Sequence, residues 1–142
     1  MVTSGRNGQD QAQMMSRERP PRSGVIPVPV AKVLSVVPVA DFDASIAWYE
    51  RLFGRPADAR PMPGLADWHI TNDAWVQVFR DVDHAGGSAL NFAVDDLEDE
   101  TAVLAGRGIT LGEVTETTKN AKLASVADPA GNTVTLIENP ST

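Results

Sequence analysis

The run Val37-Pro38-Val39-Ala40-Asp41-Phe42 returns as Phe92-Ala93-Val94-Asp95-Asp96-Leu97, from position 37 to position 92, which is 55 residues on. In both copies a β-rich stretch ends at an aspartate and an amphipathic helical pattern follows. A glycine closes each pattern, Gly54 in the first and Gly108 in the second. A repeat of this length is a supersecondary unit, and one such unit cannot bury its apolar face alone. The 142-residue chain therefore reads as a tail followed by a single domain of two equivalent modules, at about 31–82 and 88–139.

The first module opens with Lys32–Val39, a Val-rich run suited to a strand. Asp41 is placed to cap a helix, because its carboxylate accepts from backbone N–H groups left free in the first turn. Phe42, Ile46, Tyr49 and Phe53 recur at i, i+4, i+7 and i+11, one helical face. Gly54 supplies the left-handed position that ends the helix. Three strands are predicted next: 56–61, edge-like because of its prolines, then 66–71 and 74–80, the last two joined by an Asn72-Asp73 turn. After a linker at 84–87, the second module begins with a strand at 89–94. Asp96 and Asp99 have capping-box spacing, and Leu97, Thr101 and Leu104 share a helical face. Strands follow at 112–117, 123–127 and 133–137, with Asp128-Pro129-Ala130-Gly131-Asn132 as the final turn. The order is β-α-β-β-β twice, an α+β pattern.

Residues 1–28 are rich in Gln, Ser, Arg, Gly and Pro and carry no apolar periodicity. Such a segment buries too little surface to offset its ordering entropy and is read as a disordered tail, leaving 29–142 as the domain. The tail holds Arg6, Arg17, Arg19 and Arg22 against Asp10 and Glu18, a balance of +2; with −7 overall, the remainder carries −9 (−7 minus +2). An acidic body repels phosphate backbones, so no nucleic-acid partner is expected. No apolar run reaches the roughly 20 residues that cross a bilayer, and the N-terminus lacks the layout of a secretory signal. Cysteine is absent, which excludes thiolate catalysis and Cys-based zinc sites and fits a cytoplasmic protein.

Three segments carry a family resemblance: 36–54 (VVPVADFDASIAWYERLFG), 91–97 (NFAVDDL) and 128–138 (DPAGNTVTLIE). In order and spacing they resemble the vicinal-oxygen-chelate superfamily of glyoxalases, bleomycin-resistance proteins and ring-cleaving dioxygenases. The resemblance implies two tandem βαβββ modules forming a half-open, curved mixed β-sheet with helices outside, and a homodimer. It also implies four inward strand positions for metal ligands, which fall here at Leu34, Gln77, Ala89 and Thr135. Family members carry His, Glu or Gln, His and Glu there. Leu34 and Ala89 have no donor and a lone threonine hydroxyl is a poor one, whereas transition-metal sites need three or four converging N or O donors. No metal, cofactor or catalytic residue is therefore expected.

Strand alternation defines a pocket instead. If Gln77 faces the hollow, so do Trp75 and Phe79, together with Leu34 and Val36 from the first strand, Asn91 from the fifth and Thr135 from the last. Trp68 is favoured over His69 as the residue of its strand that approaches the same space. Such a lining suits a hydrophobic or aromatic small molecule oriented by Gln77 and Asn91. The leading expectation is a metal-free protein that sequesters such a ligand, like the drug-binding resistance members of the family. A glyoxalase-like lyase, isomerase or dioxygenase with an atypical or metal-free site is the alternative. A scaffold that works through its dimer surface is a third.

Overall fold

The structure, a computed structural model, describes residues 29–117 and 119–139. The tail assigned to 1–28 lies outside the described residues. The chain divides into Met1–Ala31 and Lys32–Thr142, and the fold is that of the second unit. Its elements are β1 (Val33–Val39), α1 (Phe42–Phe53), β2 (Ala59–Met62), β3 (Leu65–Thr71), β4 (Ala74–Arg80), a 3₁₀ turn at Val82–His84, β5 (Ala89–Val94), α2 (Leu97–Gly106), β6 (Thr115–Glu116), β7 (Lys122–Ala127) and β8 (Thr133–Glu138). The βαβββ order occurs twice, as the repeat requires.

Hydrogen bonding builds two four-stranded mixed sheets, β1-β4-β3-β2 and β5-β8-β7-β6. In each module the first strand lies parallel to the last, and the others are antiparallel. Neither sheet closes into a barrel. Two strands are shorter or later than the sequence suggests. β2 begins at Ala59 rather than at 56, because Arg55 and Asp58 are held in a clamp across to β3: Arg55 bonds the Asp58 carboxylate at 2.8 Å, and that carboxylate accepts the His69 backbone N–H at 2.7 Å. β6 shrinks to two residues, since only Thr115 and Glu116 find ladder partners.

The helix ends follow the expected chemistry. Asp41 accepts from Ala44 N, and Asp96 from Asp99 N. Gly54 takes φ of 75° and returns its N–H to Glu50 O. A further contact that sequence does not announce stabilises the start of α2: the Glu138 carboxylate, at the end of β8, accepts from Leu97 N at 2.8 Å. A carboxylate at that end complements the helix dipole.

α1 is buried over a wider arc than its predicted stripe. Ser45, Ile46, Trp48, Tyr49 and Leu52 are buried, with Phe42 and Phe53 packed alongside. The cause is that α1 touches both modules. Tyr49 and Phe53 meet Trp68 of β3 at 6.2 and 5.6 Å between ring centroids, and Phe53 meets Phe92 of β5 edge-on at 5.9 Å. Against the helices the first sheet presents Val37, Val39, Ala66, Val76 and Val78; the second presents Leu90, Ala124, Val134 and Leu136. These residues form one apolar core.

A buried polar knot joins the modules. The Tyr49 hydroxyl donates to the Asp128 carboxylate at 2.7 Å. Asn132 donates through Nδ2 both to Asp128 and to the Pro38 carbonyl of β1, while its Oδ1 accepts from Ser88 N. Burial, the hydrogen bond to Asp128 and that carboxylate's charge push the Tyr49 phenol far above its ordinary range.

Candidate functional site

Paired residues on neighbouring strands share a face, so register locates every side chain expected in the hollow. On the first sheet three rows face away from the helices: Leu34–Trp75–His69, Val36–Gln77–Asp67 and Pro38–Phe79–Leu65. On the second the corresponding rows are Ala89–Thr133–Ala127, Asn91–Thr135–Ser125 and Ala93–Ile137–Leu123. Leu34, Val36, Trp75, Gln77 and Phe79 thus lie together on one sheet face, and Asn91 and Thr135 together on the other. Leu34 and Val36 are 47% and 50% exposed; Trp75, Gln77 and Phe79 are half-buried; Asn91 is exposed. Their alternates carry the core. Of the residues in these rows Pro38 and Asp67 are buried, and the others are half-buried or exposed.

Trp68 stands on the other side. It pairs with Val76, points at the helices, is fully buried, and donates its indole N–H to Arg55 O at 3.0 Å. The physical reason is an irregularity between His69 and Thr71. Counting back from the tight turn, Thr71 opposite Ala74 would bring Trp68 opposite Gln77. The extra residue at Ile70 shifts the count by one, so His69 meets Trp75 and Asp67 meets Gln77. A bulge of this kind turns every following side chain to the opposite face. His69 and Asp67 therefore occupy the face assigned to Trp68. Sequence left His69 as the alternative to Trp68 and gave Asp67 no role, because nothing in Leu65–Thr71 marks where the bulge falls.

The open face of the first sheet has two contrasting parts. His69 stacks on Trp75 with centroids 3.6 Å apart and planes 16° from parallel, and the Lys32 ammonium lies 3.7 Å from the Trp75 ring centroid. His69 Nε2 is buried without a hydrogen-bond partner. In the next row Gln77 Nε2 donates to Asp67 Oδ1 at 3.0 Å, and Asp67 is only 4% exposed. On the second sheet the Ser125 and Thr135 hydroxyls bond each other at 2.7 Å.

The four family ligand positions do not fit a transition-metal site. Leu34 and Ala89 carry no donor atom, Gln77 is engaged with Asp67, and Thr135 is engaged with Ser125. Among the described residues no group of three or more His, Cys, Asp or Glu side chains converges. Glu138 is spoken for as the cap of α2. Asp58, beside the site, has its carboxyl lowered below the usual range, first by the His69 backbone N–H and then by Arg55.

A family model described as a glyoxalase-like domain matches residues 34–137. A glyoxalase/bleomycin resistance protein from Catenulispora acidiphila superposes with a TM-score of 0.72 at 24% identity, covering 77% of this chain and 98% of that one. A lactoylglutathione lyase from Agrobacterium tumefaciens gives 0.65 at 18%, covering 78% and 94%. A bleomycin-binding protein in complex with bleomycin gives 0.62 at 23%, covering 76% and 98%. No curated protein matches the chain. At these identities the structural likeness is one of fold, and this fold carries unrelated activities. No helix among the described residues is long and apolar enough to cross a membrane.

Proposed function

Because the chain belongs to the glyoxalase-like domain family, matched over residues 34–137, we propose that it is a metal-free small-molecule-binding protein that sequesters an apolar or aromatic ligand. One observation carries the proposal: Leu34, Val36, Trp75 and Phe79 line one sheet face around the Gln77–Asp67 pair, where metal-dependent relatives are expected to place ligating side chains. An apolar face with a few oriented polar groups is the usual composition of a ligand site. The solved bleomycin-binding protein in complex with bleomycin has the same fold and supports a drug or drug-like occupant, and hence a role in resistance.

The protein acts as a homodimer in this reading. Leu34 and Val36 are half exposed in a single chain, and a second copy set against this face would shelter both the apolar side chains and the ligand. Residues 1–28 lie outside the binding unit, and the protein works in the cytoplasm.

The test is tryptophan fluorescence titration of the full chain with a panel of aromatic drugs and metabolites, alongside light scattering for mass. Trp75 lies on the open face, whereas Trp68 and Trp48 are buried, so quenching should vanish in Trp75→Phe. Deletion of residues 1–28 should leave binding unchanged. Absence of any binder across a broad panel, or a stoichiometric Ni, Zn, Fe or Mn ion in protein purified without chelator, would defeat the proposal in favour of a glyoxalase-like enzyme.

A further inference from the structure

We propose that Asp67 and Gln77 select a ligand bearing a flat, positively charged group rich in N–H donors, of the amidinium or guanidinium kind. This inference rests on reading the open face of the first sheet as the ligand site, and it assigns to that site a charge preference that an apolar lining alone would not have.

A carboxylate taken out of water is strongly disfavoured unless donors or a cation compensate it. Asp128, the other buried aspartate, accepts from four donors: Tyr49 Oη, Ala130 N, Asn132 N and Asn132 Nδ2. Asp67 is as deeply buried, at 4% against 5% exposed, yet its carboxylate accepts one side-chain hydrogen bond, from Gln77 Nε2 to Oδ1. Among the described residues it forms no ion pair; the nearby ammonium, Lys32, is engaged with the Trp75 ring.

The direction of that bond sets the rest. Gln77 spends its amide N–H on Asp67, so its Oε1 remains an acceptor, and Asp67 keeps Oδ2. The pair therefore offers two oxygen acceptors, one of them on an anionic group, against the single N–H that Gln77 Nε2 has left, so an anionic ligand is repelled and a neutral acceptor meets one donor only. A planar cation with N–H groups at fixed angles satisfies both oxygens at once, with charge-assisted bonds. The stacked His69–Trp75 pair lies one row away, about 7 Å along the strands; His69 covers one face of Trp75 and the Lys32 ammonium the other, so a ring attached to such a group reaches Trp75 by displacing Lys32.

The test uses three matched probes at fixed ionic strength: benzamidine, benzamide and benzoate, titrated into the full chain by calorimetry. Benzamidine is expected to bind about tenfold or more tightly than benzamide, with benzoate weakest. In Asp67→Asn the preference should fall to within about twofold. A purely structural Asp67 predicts that the wild-type preference stays intact in this variant. Should Asp67→Asn fail to fold, Asp67→Ser takes its place, and an undiminished preference in it overturns the proposal. If benzamide and other neutral aromatics bind but benzamidine binds no better, the charge preference is refuted while the ligand site stands. If no aromatic probe binds, both fall.

Discussion

Tyr49→Phe isolates the bond that ties α1 to the second module. The substitution removes one oxygen and leaves the ring, so the contacts with Trp48, Phe53 and Trp68 are kept and no large cavity opens. What is lost is a buried 2.7 Å hydrogen bond to the Asp128 carboxylate. Bonds to charged acceptors contribute about 1.5–3 kcal/mol. Asp128 retains Ala130 N, Asn132 N and Asn132 Nδ2, so the anion is not stranded, and a loss of about 2 kcal/mol is expected. In urea, with a slope of about 1–3 kcal/mol/M, the midpoint should fall by roughly 1 M with the slope unchanged, at fixed protein concentration. There is also a signature at high pH. The folded phenol is held far above its ordinary range, so its contribution is complete below the unfolded value of about 10 and is lost as pH rises from there toward the folded value. Tyr49→Phe should remove that alkaline decline. A loss under about 0.5 kcal/mol, or an alkaline slope that persists in the variant, would refute the claim that this bond joins the modules.

Asp58, whose folded value is depressed chiefly by the His69 backbone N–H, contributes stability above its unfolded value near 4 that is lost as pH falls through the folded one; Asp58→Asn should flatten the acid limb of a melting-temperature profile below about pH 4. Gly86→Ala should destabilise the domain by about 2 kcal/mol or more in urea unfolding, since Gly86 has φ of 87° and an added Cβ would lie 2.5 Å from Ala130 O. Val36→Asp, on the open face and 50% exposed, should leave the melting temperature of a single chain within a few degrees while lowering the mass seen by light scattering to that of a monomer.

Local chemistry along the chain is enough to specify the modules. Two aspartate caps, two closing glycines and a repeat at fixed spacing specify βαβββ twice, because capping, left-handed turns and strand propensity act over a few residues and need no distant partner. Strand alternation also separated core from open face on β1, β4, β5 and β8, where no bulge intervenes: Val37, Val76, Leu90 and Val134 are buried, while Leu34, Val36 and Asn91 are exposed. Tertiary structure decided what local rules cannot carry. One extra residue in β3 turned Trp68 into the core and brought Asp67 and His69 to the open face, and a register shift is settled only by which packing buries more apolar surface. The meeting of Tyr49 with Asp128, across 79 positions, likewise exists only once both modules fold against α1, since a hydrogen bond between distant residues depends on geometry that no short stretch encodes.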